Sequence, residues 1–293
     1  MSNKKHVYEP RIVANSDNMD VGGLIIPATN TLTALLYGFR HHESNKAKEY
    51  FFWRLCDELW NHDELPEKMM VKHPWATEMI KAVIANRYVS IGGAASSGKS
   101  HTMAAWGILN WLAAPRDTLV LLTSTTLREA RKRIWGSVIS LLSVIEGAPL
   151  KVRDSIGNVA YINEQGNLIE RAGLSLIAAE RSKTREAVGK FIGIKQKRVI
   201  LIGDELAELS EAILQAGLSN LSKNPYFQLI GMSNPSSRFD AFGIWSEPKH
   251  GWDSVDTNID DRWKTKWGGQ YVRFDGERSP NIVAGEDVYP WLP

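Results

Sequence analysis

Between residues 74 and 235, short apolar runs typical of buried strands alternate with longer segments in which apolar residues recur at helical spacing. Strands separated by helices need crossover connections, so this alternation predicts a mostly parallel sheet covered by helices. The predicted strands are 88–92, 118–123, 174–178, 198–203 and 226–232, and the predicted helices are 99–113, 126–145 and about 207–221.

The segments outside this alternation predict further features. Residues 1–28 carry Pro and Gly breakers and predict an extended, irregular start, whereas 29–61 predict two helices with a break at 41–48. Turn signals within 151–173 predict a β-hairpin inserted into the α/β order. We expect an N-terminal extended segment and helical subdomain at 1–70, an α/β core at 71–245, and an extension at 246–293 with a strand at 270–274.

Composition limits the class of protein only loosely. The 293 residues are 43% hydrophobic, enough to bury one large core or two modest ones. Lys and Arg number 35 against 33 Asp and Glu, so any basic surface for nucleic acid must be local. Cys56 is the single cysteine, which excludes an intramolecular disulfide. The sequence shows neither a signal peptide nor an apolar run near the ~20 residues that span a bilayer, so we expect a soluble, intracellular protein.

The stretch GAASSGKS fits the phosphate-loop pattern G-x-x-x-x-G-K-[ST], or Walker A motif, between a predicted strand and a predicted helix. Small residues let backbone N–H groups turn towards a phosphate, and the helix N-terminus adds partial positive charge. A flexible Gly/Ser surface loop is the alternative, and the flanking strand and helix argue against it. We expect ATP to bind on Gly93, Ala94, Ala95, Ser96, Ser97, Gly98, Lys99 and Ser100, with Lys99 at the β- and γ-phosphates and Ser100 on Mg²⁺.

The predicted strand RVILIG is followed directly by two acids, Asp204 and Glu205. Ligands of open α/β sheets bind at the carboxyl edge, where such a strand ends. We predict Asp204 as the Mg²⁺ residue of a Walker B motif, acting through water, and Glu205 as the base that orients the attacking water. A helix cap with a solvated neighbour is the alternative, and the upstream phosphate loop favours the functional interpretation.

In their order, these motifs resemble the large terminase subunit of tailed bacteriophages, the ATPase that drives DNA into procapsids. The resemblance covers about residues 70–245 and includes LLTSTTLREARKRIW after the second strand and GMSNPSSRF after the acidic one. It implies a P-loop NTPase of the additional-strand type with ATP and Mg²⁺ as cofactors, and coupling residues Ser233 and Asn234. It also implies a homo-oligomeric ring in the host cytoplasm, with double-stranded DNA, portal protein and the small terminase subunit as partners.

The sequence departs from this family in the residues between Gly93 and Gly98 of the phosphate loop. Many members carry a basic residue there, whereas this loop has only Ala and Ser before Gly98. A charge-stabilising arginine must therefore come from elsewhere, and we predict Arg185, reaching a neighbour's γ-phosphate in a ring. Arg181 and Lys183 lie in the same polar stretch; the alternative set is Arg128, Arg131 and Arg133, and solvated surface charge also explains either group.

Three further expectations concern the flanks of the core. The segment 73–83 occupies the place where such motors often hold adenine, and Trp75 or a neighbour is the candidate to stack on the base, although Trp75 equally fits the core. DNA contact would be electrostatic and independent of base sequence; Lys195, Lys197 and Arg198 are available but equally fit surface charge. The family's nuclease needs carboxylates from separate strands, so we interpret the aspartates within 253–261 as a surface turn and expect no nuclease domain in this sequence.

Together these residues predict a motor that hydrolyses ATP to translocate viral double-stranded DNA into a procapsid. Two alternatives share the same core. One is a helicase-like DNA translocase, for which a second motor domain in the full-length product would argue. The other is a nucleotide-dependent assembly protein with little turnover.

Overall fold

The computed structural model describes residues 12–14, 18–21, 24–27, 31–178, 184–189, 191 and 193–293. The chain divides into two compact units, Met1–Val71 and Lys72–Pro293. Within the described ranges, no helix combines the length and the apolar character needed to cross a membrane.

The first unit contains a small sheet and a helical hairpin. Its strands, β1 (Ile12–Ala14), β2 (Asn18–Val21) and β3 (Leu24–Pro27), form an antiparallel meander where the sequence predicted an irregular segment. The sequence explains this difference, because its short segments with apolar residues are separated by polar residues and by a Gly-Gly pair. Helices α1 (Thr31–His41) and α2 (Asn45–Trp60) confirm the two predicted helices, with a break of only three residues between them.

The second unit is built on a nine-stranded sheet of order β11-β12-β4-β10-β9-β5-β8-β7-β6. The six strands from β12 to β8 in this order are parallel to their neighbours, while β11, β7 and β6 pair antiparallel at the two edges. The prediction of a mostly parallel sheet is therefore confirmed. The strands are β4 (Tyr88–Gly93), β5 (Thr118–Ser124), β6 (Leu150–Arg153), β7 (Asn158–Ile162), β8 (Leu168–Ala178), β9 (Arg198–Gly203), β10 (Phe227–Ser233), β11 (Arg262–Lys264) and β12 (Gln270–Phe274).

Helices flank this sheet. The predicted helix at 99–113 is confirmed and is buried on most sides, because neighbouring helices and strands pack against it. Two predicted helices are divided: 126–145 becomes two helices, and 207–221 becomes a short 3₁₀ turn and a helix. The helices are α3 (Pro74–Ala85), α4 (Lys99–Leu112), α5 (Leu127–Lys132), α6 (Ile134–Ser143), α7 (Thr184–Gly189), α8 (Glu211–Leu221), α9 (Ala241–Ser246) and α10 (Pro280–Ala284).

Strand β8 joins two features that the sequence predicted separately. Its first part pairs antiparallel with β7, and its second part runs parallel to β5 inside the core sheet. The register shifts at Ala160 and Tyr161, opposite Gly173, whose φ is +134° and where an added Cβ would overlap a carbonyl oxygen of β7. The predicted hairpin is thus a three-stranded meander that continues directly into the core.

Strand β10 lies between the phosphate-loop strand β4 and the acidic strand β9. This insertion agrees with the additional-strand type that the family resemblance implies. As a result the carboxyl ends of β4, β10 and β9 meet side by side at one edge of the sheet. This edge holds the chemistry described next.

Candidate active site

The phosphate loop connects the end of β4 to the start of α4. Ser96 and Gly98 adopt left-handed backbone conformations, with φ of 60° and 80°, and such conformations turn successive N–H groups towards one concave side. Strand β12 supports the loop, because Ala94 N donates to Phe274 O at 3.0 Å and Gly93 leaves room for that phenylalanine. Contacts with β12 therefore hold the predicted loop against the edge of the sheet.

Lys99 extends its side chain into this loop. Its Nζ lies 2.9 Å from Gly93 O, 2.8 Å from Ala94 O and 3.1 Å from Ser97 Oγ. A fourth oxygen, Asn234 Oδ1, lies at 3.1 Å. Burial lowers the pKa of Lys99 to about 8, against the opposing effect of the nearby acids. A buried ammonium group thus occupies the place where a polyphosphate would be neutralised.

Asp204 lies immediately beyond β9, where its backbone N donates to Thr123 O at 2.8 Å. Ser100 Oγ donates to Asp204 Oδ1 at 3.0 Å, while Oδ2 is buried with no hydrogen-bond partner among the described residues. Burial raises the pKa of Asp204 to about 6, although the Ser100 hydrogen bond opposes this rise. Hydroxyl and carboxylate oxygens are ligands suited to Mg²⁺, and the unpartnered Oδ2 fits such an ion.

The raised pKa of Asp204 gives a stability prediction. Because the folded carboxyl has a pKa near 6 against 3.8 for the ordinary group, the native state binds more protons between these pH values. Stability of the ligand-free protein should therefore fall as pH rises through this window, by about 3 kcal/mol from this group. We expect Asp204→Asn to remove that loss, as measured by urea unfolding at pH 4 and pH 7. Asp253→Asn, at an exposed position, is the control, and equal pH slopes for the wild type and Asp204→Asn would contradict the prediction.

Glu205 has an unusual backbone, with φ of 52° and ψ of 50°. A non-glycine residue in this left-handed region costs about 1–3 kcal/mol and is often found at functional sites. The side chain is 22% exposed, and its Oε1 lies 3.0 Å from Arg133 Nη1. The predicted base is thus held by a cation within the same chain.

Arg133 reaches Glu205 because the predicted helix 126–145 is broken at this residue. Its φ of −117° and ψ of −108° separate α5 from α6, so the prediction of one continuous helix is wrong. Gly136 permits the break, since an added Cβ would lie 2.6 Å from the Arg131 carbonyl oxygen. The other two arginines of this set differ: Arg131 donates to backbone carbonyls of 154 and 155, and Arg128 is exposed.

The tip of β10 contacts both parts of the site. Asn234 accepts the hydrogen bond from Lys99, and Ser233 Oγ accepts from Ala207 N at 3.3 Å, just beyond Glu205. The structure therefore brings together Lys99, Ser100, Asp204, Glu205, Ser233 and Asn234.

Other predicted site residues lie apart from this cluster or in a different setting. Arg185 is exposed on α7, and Arg181 and Lys183 fall outside the described residues. Trp75 is only 8% exposed and its ring lies 5.6 Å from Phe274, so it packs as a core residue does. The roles of Arg185 as a finger and of Trp75 as an adenine contact stay predictions.

The remaining charged groups lie elsewhere. The basic residues weighed for DNA contact surround the start of β9, at the opposite edge of the sheet, where Lys197 pairs with Asp117 at 3.7 Å. In the turn at 253–261, Asp260 accepts from the backbone of Asp256, and Asp261 pairs with Arg273 at 3.2 Å. Over the part of the chain that the structure describes, no group of three or more His, Cys, Asp or Glu side chains forms a metal site.

No protein-family model matches the sequence, and no curated protein matches it. Among solved structures, a mutant of the large terminase ATPase domain of Thermus phage P74-26 gives a TM-score of 0.53 at 14% identity, over 80% of this chain and 88% of that chain. A second structure of that domain gives a TM-score of 0.51 at 14% identity, over 76% and 84%. The large terminase of another thermophilic bacteriophage, in complex with ADP, gives 0.44 at 13% identity, over 69% and 45%, too low to add to the assignment. The similarity to the Thermus phage domain shows the fold: an α/β fold like that of large terminase ATPase domains.

Proposed function

We propose that the chain is the ATPase motor of a large terminase, which hydrolyses Mg·ATP to translocate double-stranded viral DNA into a procapsid. One observation carries the proposal: the phosphate-loop lysine, the buried Asp204 and the Glu205 carboxylate meet at one sheet edge with the tip of the inserted strand. The fold similarity supports a terminase motor over other enzymes with a phosphate loop.

In the proposed mechanism the phosphates of ATP take the place of the oxygens that now surround Lys99. The ammonium group leaves the Gly93 and Ala94 carbonyls and neutralises the β- and γ-phosphates. Ser100 and Asp204 would hold Mg²⁺, which would supply positive charge that offsets the negative charge on the phosphates. Ionised Asp204 is favoured above its pKa of about 6.

Glu205 orients a water molecule and accepts its proton as the water oxygen attacks the γ-phosphorus. The bond from that phosphorus to the β–γ bridging oxygen then breaks, leaving ADP and inorganic phosphate. Arg133 acts as a positioning residue, since its guanidinium contacts the Glu205 carboxylate. Arg133 also supplies a positive charge near the reaction. Residues 94–97 of the phosphate loop supply none, because they are Ala and Ser.

Coupling follows from the contacts of β10. When the γ-phosphate leaves, Lys99 returns to Asn234 and the loop carbonyls, and this change acts on the strand tip. The hydrogen bond from Ala207 N to Ser233 Oγ then transmits the displacement of the strand tip to the segment after Glu205. In a ring of such chains, these shifts would move a lever that carries DNA, with portal protein and the small subunit as partners.

We expect Arg133→Ala to lower kcat by about 10²-fold, because a misplaced catalytic group costs about this much. KM for ATP should change little, since Arg133 contacts Glu205 and not the phosphate loop. Arg133→Lys should restore part of kcat by returning the charge. Steady-state ATP hydrolysis measures these effects, with exposed Arg54→Ala in the first unit as the control. A raised KM with unchanged kcat would contradict the positioning role.

Arg185 is our candidate for a contribution from a neighbouring subunit. Its exposed side chain is available to another chain. If it acts in trans, Arg185→Ala lowers turnover only at concentrations at which chains associate, whereas Arg133→Ala lowers it at every concentration. If turnover per chain changes neither with concentration nor with Arg185→Ala, the role of Arg185 in trans is wrong, and Arg133 is the one arginine that the proposal retains.

The function as a whole is tested by Mg²⁺-dependent ATP hydrolysis with and without double-stranded DNA. A terminase motor should hydrolyse faster when DNA of any sequence is present, and the stimulation should weaken with salt. Unwinding of a labelled duplex by the full-length protein would instead favour the helicase-like translocase. Tight ATP binding with negligible turnover, unchanged by DNA, would favour the assembly protein.

A further inference from the structure

The chain after α10 folds back as an ordered tail held by a buried side chain. Asn281 is 6% exposed, and its Oδ1 accepts from Tyr289 N at 2.9 Å. Its Nδ2 donates to Tyr289 O at 2.8 Å and to Leu292 O at 3.1 Å. Ser279 Oγ also donates to the carbonyl of Pro293. Hydrogen bonds between Asn281 and both the N–H and the carbonyl of Tyr289 thus fix the backbone of this residue.

This tail places the Tyr289 ring beside His73, which adjoins the phosphate loop. The Tyr289 ring lies 5.6 Å from the His73 ring, and the half-exposed Trp291 ring lies 6.1 Å from Tyr289. His73 in turn adjoins the loop, since a Cβ built on Gly98 would lie 3.4 Å from His73 Nε2. A continuous path of neighbouring groups therefore leads from the phosphate loop to Tyr289.

His73 has a defined protonation state in this arrangement. Its Nδ1 accepts from Ala76 N at 3.3 Å as the cap of α3, so the proton of the neutral ring lies on Nε2. Burial, assisted by His101, lowers the pKa of His73 to about 4. The ring beside the loop is therefore neutral and adds no competing charge at neutral pH.

We propose that Tyr289, fixed by Asn281 and placed beside His73, forms the stacking platform for a purine base of the nucleotide whose phosphates bind residues 93–100. This inference rests on the proposed function, because it needs a nucleotide in the phosphate loop. Tyr289 is partly exposed, whereas Trp75 is buried against Phe274. Tyr289 therefore has ring surface to offer, and Trp75 has little.

The test compares a ligand that has a base with one that lacks it. Dissociation constants for Mg·ATP, Mg·CTP and Mg·tripolyphosphate are measured by calorimetry on the wild type, Tyr289→Ala, Tyr289→Leu and Tyr289→Phe. Loss of one stacking ring should raise Kd for ATP about tenfold. We expect this rise in the Ala and Leu variants, a smaller rise for CTP and no change for tripolyphosphate. Tyr289→Phe should bind ATP like the wild type. Tyr226→Ala, at an exposed tyrosine near the opposite sheet edge, is the control.

Each outcome has a separate meaning. If Tyr289→Leu binds ATP and tripolyphosphate as the wild type does, the platform is wrong while the proposed function stands. If both ligands weaken equally, Tyr289 has a structural role and the inference is again overturned. If the wild type binds neither ATP nor tripolyphosphate, the phosphate site fails and the inference fails with it. The Leu side chain keeps apolar packing against His73, so we expect Tyr289→Leu to fold. A thermal melt of this variant checks that it is folded.

Discussion

Lys99→Ala is expected to reduce ATP turnover by about 10³-fold and to weaken ATP binding. The reason is that Lys99 is the cation inside the phosphate loop, and loss of one preorganised charge-stabilising group costs about 10²–10³ in rate. Steady-state hydrolysis and calorimetry measure the two effects. Exposed Lys223→Ala is the matched control and should leave both unchanged. Turnover of Lys99→Ala within tenfold of the wild type would contradict the assignment.

The same variant should remain folded. The pKa of Lys99 is lowered from 10.5 to about 8, so between these pH values the unfolded state binds more protons than the native state. Stability from this group therefore rises with pH across that window, and at pH 7 the buried ammonium opposes folding by about 3 kcal/mol. Removing the ammonium offsets the loss of its hydrogen bonds. We expect the ligand-free melting temperature of Lys99→Ala to be no lower than that of the wild type at pH 7.

Glu205→Gln is expected to lower kcat by about 10³-fold while ATP still binds. The amide keeps the size of the carboxylate and its capacity to orient water, but it cannot accept the proton, and general base catalysis contributes about 10²–10⁴-fold. Single-turnover hydrolysis together with calorimetry separates chemistry from binding. Glu208→Gln, on the exposed side of the following turn, is the control.

The two variants are most informative together. If Glu205→Gln hydrolyses ATP as the wild type does while Lys99→Ala is inactive, the phosphate loop is correct and the base is wrong. If Glu205→Gln also loses ATP affinity, the side chain contributes to binding, contrary to a role in the chemical step alone. Loss of kcat alone supports the proposed division of roles.

The parts of the site that the sequence predicted are those encoded by contiguous residues. Strand, glycine-containing loop and helix are consecutive around residues 93–100, and a buried strand delivers Asp204 and Glu205 to its own end. In the same way, Ser233 is the last residue of β10 and Asn234 follows it directly. Because parallel strands share a carboxyl edge, their ends meet wherever the sheet order brings the strands together.

The sequence indicates Arg133 only as one of three alternative arginines, because its contact with Glu205 depends on a break within an apolar helical pattern. The pattern over 126–145 favours one helix, in which the arginines would share a solvated face. The available signal was Gly136, an isolated glycine in a helical segment, which often has a packing reason. The partner of Arg133 lies 72 positions away, the difference between 205 and 133, so local periodicity contains no trace of this ion pair.

Tyr289 illustrates a second limit. The Tyr289 ring lies beside His73 because Asn281 holds the turn that carries it. Along the sequence, however, most of the second unit lies between these two residues. The sequence directed attention to Trp75 because tryptophan is a common stacking residue near the expected adenine position. Burial distinguishes the two aromatic residues, and burial of one face of a short helix is a tertiary property.

The two outermost strands of the large sheet have a consequence for assembly. β11 has three residues, including Arg262 and Lys264, and β6 has four, including Lys151 and Arg153. Short edge strands that carry charged side chains are poor templates for adding another strand. Copies of this chain that meet at these strands would therefore gain little by joining their sheets. If the chain forms the ring that we propose, we expect its subunits to contact one another through surfaces other than these two sheet edges.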